Sequence, residues 1–245
     1  MSPTLRDEPP AEIGLVREGR LPARYEMPIM RPFLERMHSL LEPGVRILDV
    51  GAGHSPTLAP EERPERCHYA GLDISRQELE GAPPGSYDEL LVHDVTTPLV
   101  VEEPFDLVLS WQVFEHLRPL DAAIENLRQV LRPGGTLVAQ LSGGFAVFAI
   151  GARIIPHRLR VILMERALDM PADLKFPTDY DRCYASALER MLAPWYTWSL
   201  LPLYRGAGYF MFSSALQQAY VAYESLVARR PISQLATHYL ISATR

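Results

Sequence analysis

Cysteine is scarce: Cys67 and Cys183 are the only two in 245 residues. Two thiols without metal-ligand spacing exclude a disulfide framework and a zinc cluster, and they suit a reducing compartment. Lysine is scarcer still, with Lys175 alone, so almost all of the 24 basic side chains are arginines. With 30 acidic residues the net charge is −6, which leaves no global basic field to hold a polyanion and argues against nucleic acid as a partner. Long apolar runs are also missing. The most hydrophobic segment, Thr136 to Ala152, is broken by Gln140, Ser142, Gly143 and Gly144 and closed by Arg153, short of the ~20 apolar residues of a spanning helix. The Pro-, Glu- and Arg-rich start has no signal-peptide pattern, so the expected compartment is the cytoplasm and no transmembrane segment is expected.

What is present is a chain with 47% apolar residues, enough for one sizeable core. Residues 1–22 lack apolar periodicity and read as a mobile arm, leaving 23–245 as a single domain. Met30, Phe33, Leu34, Met37, Leu40 and Leu41 recur at helical spacing until Pro43 and Gly44 stop the helix. Five apolar runs suited to strands follow: Val45–Val50, Tyr69–Leu72, Leu90–Val92, Phe105–Leu109 and Thr136–Leu141. A helix over Leu120–Leu131, closed by Arg132, Pro133, Gly134 and Gly135, separates the last two. After Ser142 the alternation lapses, and residues 143–197 read as a substrate-covering helical insertion. A strand (Trp198–Tyr204), a helix (Phe210–Val227) and a strand (Leu235–Ala243) complete the pattern. The expectation is an α/β fold: a Rossmann-like, seven-stranded, mostly parallel sheet with helices on both faces.

The first strand runs into Asp49-Val50-Gly51-Ala52-Gly53-His54-Ser55-Pro56. Ligands of open parallel sheets bind beyond the carboxyl ends of the strands, where glycines let them approach the backbone. At 20 residues beyond Gly53, Asp73 ends the second strand, placed to accept hydrogen bonds from both hydroxyls of a ribose. Together these point to an adenosine ligand, although a glycine pair alone also fits a plain tight turn. Pro56 stands where a dinucleotide fingerprint needs its third glycine, which disfavours NAD and FAD. Asp49 is placed to meet an ammonium group, as a ligand with an amino-acid moiety would offer.

The set Ile47–Gly53, Tyr69–Ser75, Val92-His93-Asp94-Val95, Phe105-Asp106-Leu107-Val108 and Leu131–Leu137 resembles, in order and spacing, the class I S-adenosylmethionine-dependent methyltransferases, over about residues 30–142. The resemblance implies S-adenosyl-L-methionine as cofactor. It puts Gly51, Ala52 and Gly53 beneath the methionine part, Asp73 on the ribose, Ile74 on the adenine, and His93, Asp94 and Val95 along its edge. Ser110, Trp111 and Gln112 come near the sulfonium, and His54, in the cofactor loop, is a further contact candidate. Ser55 and Pro56 replace the usual third glycine, so the helix after the first strand must start differently or be shorter.

Glu115 and His116 follow the fourth strand, close to where the methyl group should lie, and are the first candidates for proton removal, although they also suit a helix brace. Some methyltransferases acting on hydroxyls place metal ligands here as Glu-x-x-Glu-His. Gln112 occupies the first position, so that site is incomplete: no metal ligands are assigned, while a divalent metal such as magnesium stays open as a second cofactor. Residues Ile154–Tyr180 resemble the insertion of the type 11 methyltransferase group, with His157 and Tyr180 as further catalytic candidates. Aromatics crowd the C-terminal third, and the apolar circumference of Tyr209–Leu226 suits core packing, a homodimer contact or a lipid surface. The expected reaction is methyl transfer to a hydroxyl of a small polar acceptor such as a saccharide or glycoconjugate. The rivals are N- or C-methylation of a natural-product intermediate and a non-catalytic S-adenosylmethionine-binding module.

Overall fold

In the computed structural model, which describes residues 21–147, 149, 150, 178–210 and 213–245, the seven apolar runs are the strands of one sheet. They are β1 (Arg46–Val50), β2 (His68–Asp73), β3 (Glu89–Val92), β4 (Phe105–Trp111), β5 (Leu131–Ser142), β6 (Thr197–Leu203) and β7 (His238–Thr244). The described helices used below are α1 (Arg31–His38), α2 (Arg76–Glu80), α3 (Leu120–Val130), α4 (Ala185–Leu192) and α5 (Ser214–Arg229). The strand order is β3-β2-β1-β4-β5-β7-β6. The first five strands pair in parallel, and β7 lies antiparallel between β5 and β6. This is the Rossmann-like, mostly parallel sheet the sequence implied.

Both faces of the sheet are covered, which is why its strands are apolar at consecutive positions. Ile47, Leu107, Leu109 and Val138 face Phe33 and Met37, four residues apart on α1. Leu48, Val50, Val108 and Leu137 face the opposite way, onto Ala123, Ile124, Leu127 and Val130 of α3 and onto Ala185, Leu188 and Leu192 of α4. Each buried leucine or isoleucine here contributes roughly 1.5–3 kcal/mol. Among the described residues no helix is long and apolar enough to cross a membrane.

Several boundaries differ from the sequence reading. β5 begins directly at Leu131, because Leu131 already pairs with Phe105 and the register shifts before Leu107. The segment read as a helix stop is thus the strand's first part, with Gly134 at φ +81° and its N–H bonded to the Arg245 carbonyl at 2.9 Å. α4 falls inside the expected insertion. The C-terminal helix starts at Ser214, capped by the Ser213 hydroxyl, and Ala207–Phe210 forms a separate 3-10 turn. Residues 1–20 of the expected arm and 151–177 of the insertion, His157 among them, lie outside the described residues.

The N-terminal segment is tied down from Arg24 onward. Arg24 donates to the Tyr204 carbonyl at 2.9 Å and to Glu224 at 3.1 Å, and Tyr25 donates its hydroxyl to the same Glu224 oxygen. The other Glu224 oxygen accepts the Gly206 N–H at 2.7 Å, and Arg205 holds the carbonyls of Met27 and Pro28 at 2.8 and 2.9 Å.

Candidate active site

The residues singled out in the sequence gather at the carboxyl ends of β1, β2, β4 and β5. Gly51 leaves β1 at φ +69°, a conformation that favours glycine, and its N–H bonds the Leu72 carbonyl at 2.7 Å. A Cβ at Gly51 would lie 2.4 Å from Val113 Cγ2. The loop therefore presses on the turn after β4, and glycine is required there by a protein contact as well as by φ. Gly53 is also left-handed, at φ +50°, and a Cβ there would come within 3.7 Å of an Asp73 carboxylate oxygen. The Tyr87 hydroxyl fixes the loop by donating to the Gly53 carbonyl at 2.9 Å. Ala52 is buried in this turn, and His54 is turned outward onto Glu78 at 2.8 Å.

Asp73 sits across from this loop. One carboxylate oxygen accepts the Ser75 N–H at 2.8 Å, and burial raises its pKa above the usual carboxylate value. Beside it Ile74 is 64% exposed, an apolar side chain held out at the rim where the resemblance puts an adenine. The Ser75 hydroxyl caps α2 by accepting the Glu78 N–H. His93 is held at the end of β3 by its N–H on the Asp73 carbonyl at 3.0 Å, and Asp94 folds back onto Thr96 at 2.9 Å through the backbone and 2.7 Å through the hydroxyl. Val95 has its side chain in the core and its carbonyl taken by Asn126 at 2.9 Å.

Asp49 is fully buried, with one oxygen accepting the Tyr69 hydroxyl and the Thr57 N–H, both at 2.6 Å, and the other the Thr57 hydroxyl at 2.8 Å. A carboxylate so placed braces the loop after β1 from below.

At the end of β4, Ser110 is fully buried with a hydroxyl that has no partner among the described residues, and Trp111 stands edge-on against Phe33 with centroids 5.3 Å apart. Gln112 is left-handed at φ +56°, uncommon for a residue with a side chain and a mark of a constrained site. Glu115 and His116 belong to the 3-10 turn Phe114–His116. Glu115 is 3% exposed; its Oε1 accepts the Ser142 N–H at 3.2 Å, Oε2 has no partner among the described residues, and burial raises its pKa while the adjacent His116 opposes the shift. Tyr180 lies against it, its N–H on the Glu115 carbonyl at 2.9 Å.

Two residues of this cluster were not singled out from the sequence. The Ser142 hydroxyl donates to Gln112 Oε1 at 2.8 Å, and the Tyr209 hydroxyl is hydrogen-bonded to the Ser142 side chain, with the Tyr209 pKa pushed up to about 12 by burial and by Glu115. Ser142 gave only the end of a strand as a signal, and Tyr209 was one of many C-terminal aromatics. The metal reading does not fit these side chains. Gln112 Oε1 and Glu115 Oε1 are committed to Ser142, and among the described residues no three His, Cys, Asp or Glu side chains could hold an ion.

A family model described as a methyltransferase domain matches residues 23–199. Curated relatives include a ubiquinone biosynthesis O-methyltransferase of Chelativorans sp., 29% identical over 150 residues that cover 59% of this chain and 58% of the relative. Another of the same description, from Maricaulis maris, is 28% identical over 44% of this chain and 46% of the relative. The chain thus spans about half the length of the curated relatives it matches. Among solved structures, an S-adenosylmethionine-dependent methyltransferase from Archaeoglobus fulgidus superposes with a TM-score of 0.52 at 15% identity, over 91% of this chain and 96% of that one. A Haemonchus contortus phosphoethanolamine N-methyltransferase holding S-adenosylhomocysteine gives 0.55 at 14% identity, over 88% and 52%. By the family match, which takes in most of its length, the chain belongs to the methyltransferase-domain family, and its fold is that of the class I S-adenosylmethionine-dependent enzymes.

Proposed function

We propose that this protein transfers a methyl group from S-adenosylmethionine to a hydroxyl of a small acceptor. When bound, S-adenosylmethionine supplies a methyl group already activated on a sulfonium. The chain's own work is therefore binding, alignment, exclusion of water and removal of one proton. Gly51, Ala52 and Gly53 open the backbone to the methionine part, Asp73 accepts the ribose hydroxyls, and Ile74 offers an apolar face to the adenine. His116 takes the acceptor's hydroxyl proton as the oxygen gains the methyl group and the S–C electron pair stays on sulfur. The Glu115 carboxyl lies beside His116.

One observation carries the reading: the glycine loop abuts Val113, two residues before Glu115, so the cofactor cradle and the base adjoin. The relatives described as O-methyltransferases support a hydroxyl over a nitrogen or carbon acceptor. Phe145, Val147 and Ile150, 37%, 40% and 41% exposed just beyond β5, suit an acceptor with an apolar or ring-shaped body. Phe145, stacked on Tyr184 with centroids 4.8 Å apart, would serve a sugar ring or an aromatic one. The low cysteine content supports a cytoplasmic setting, and Leu216 and Leu226 of α5, each 51% exposed, support a homodimer.

Incubation with methyl-labelled S-adenosylmethionine and a panel of hydroxyl, amine and carbon acceptors tests the reading. A labelled methoxy product is expected. Label found only on nitrogen or carbon, or tight cofactor binding without turnover on any acceptor, refutes it.

A further inference from the structure

Gln112, Ser142 and Tyr209 form a hydrogen-bonded chain. Ser142 has one hydroxyl proton, and it is donated to Gln112 Oε1 at 2.8 Å. The Tyr209 hydroxyl is bonded to the same serine side chain, which also reaches Glu115. The carbonyl end of the Gln112 amide is committed to the protein by this chain. Its NH2 end has no protein partner among the described residues and is not among the buried atoms left unsatisfied, so it reaches open space. The backbone enforces this orientation: Gln112 is left-handed, and its own N–H is pinned to the Gln140 carbonyl at 2.8 Å. The next residue, Val113, is the one on which the glycine loop rests.

We propose that Gln112 is the acceptor-binding donor of this site: its amide N–H, aimed by Tyr209 and Ser142, holds the acceptor's reacting oxygen where the Glu-x-x-Glu-His arrangement would use a metal ion. The proposal rests on the hydroxyl-methylation reading. A carboxylate at this position would attract a cation and repel an oxygen that is losing its proton, whereas a neutral amide does the reverse. Glu115 cannot restore the metal site, since one of its oxygens is held by Ser142 and the other is buried. Tyr209 and Ser142 are positioning residues in this scheme; of the three, Gln112 alone touches the acceptor.

The test uses 4-nitrocatechol, a hydroxyl probe whose visible absorption reports binding and ionisation, on the full chain saturated with S-adenosylhomocysteine. Gln112→Glu keeps the shape and removes the donor, and should weaken probe binding by about tenfold or more. Tyr209→Phe, which removes the phenol from the Ser142 side chain without touching the probe, should cost about threefold and shift the pH at which the probe ionises. Thermal unfolding of both variants should match the wild type's, which establishes that they fold. Neither a chelator nor millimolar magnesium should alter the wild-type titration. Equal probe affinity in wild type and Gln112→Glu, probe binding that vanishes with chelator and returns with magnesium, or no saturable binding by the wild type would each overturn the proposal. Probe binding that behaves as expected, without methoxy product from any hydroxyl acceptor, would leave the donor assignment standing and remove hydroxyl methylation.

Discussion

Glu115 faces opposing demands from stability and from chemistry. Its burial raises its pKa, so over a window above the ordinary carboxylate range the folded state keeps a proton that the unfolded state has released. Stability therefore falls as pH rises through that window and stays lower above it. Glu115→Gln keeps the Ser142 contact and removes the ionisation, so its melting temperature at pH 8 should match or exceed the wild type's while turnover falls by about 100-fold. A lower melting temperature would show that the charge stabilises the fold. Asp73 is shifted in the same direction, again by burial first, and it acts on binding. Asp73→Ala should weaken S-adenosylmethionine by about tenfold or more in calorimetry. Wild-type affinity should begin to fall on acidification before an ordinary carboxylate would protonate, and the variant should lack that pH dependence.

Among the elements, the legible ones were those with a steady period. β1 and β4 show runs of Ile, Leu and Val whose alternate residues go to opposite faces of the sheet, and α1 and α3 repeat apolar residues at helical spacing. α4 was passed over because much of its buried face is alanine, Ala185 and Ala187 beside Leu188 and Leu192, and alanine does not announce a hydrophobic stripe. The rim was legible where function demands a backbone conformation, at Gly51 and Gly53, and where a carboxylate ends a strand, at Asp73. The partners of Asp49 were not legible, because a strand-end carboxylate reads alike whether it faces outward or, as here, onto Tyr69 and Thr57. Ser142 and Tyr209 were invisible since their bond joins residues 67 positions apart, which no local pattern encodes. The Arg24–Glu224 clamp was hidden for the same reason. Its carboxylate is 2% exposed against 23% for the arginine, and removing one partner of such a pair leaves a buried group unmatched. Glu224→Ala should cost about 3–5 kcal/mol in urea unfolding, and Glu224→Gln less. A loss under 1 kcal/mol for the alanine variant would show that the N-terminal segment is tied elsewhere.

For the molecule as a whole, the decisive strand is β7, which pairs with both β5 and β6. His238 opens it, buried, with a pKa lowered to about 4 by burial first and Arg205 second. The unfolded imidazole protonates near 6.5, so stability present above that pH is lost as pH falls toward 4, with a ceiling of about 3 kcal/mol. Melting curves between pH 7 and 4.5 should show this decline, and His238→Gln should flatten it. An identical slope in the variant would assign the acid lability to other groups.

The close approach of Gly51 to Val113 sets the cofactor loop directly against the turn that carries Gln112 and Glu115, and predicts that ligands on the two sides bind as linked events. Occupancy by S-adenosylhomocysteine should then raise affinity for 4-nitrocatechol, and linkage requires that nitrocatechol raise S-adenosylhomocysteine affinity by the same factor. Val113→Ala, which opens a gap between loop and turn, should bring both factors toward one. The two ligands would then bind independently, and a random order of addition would replace a preferred one.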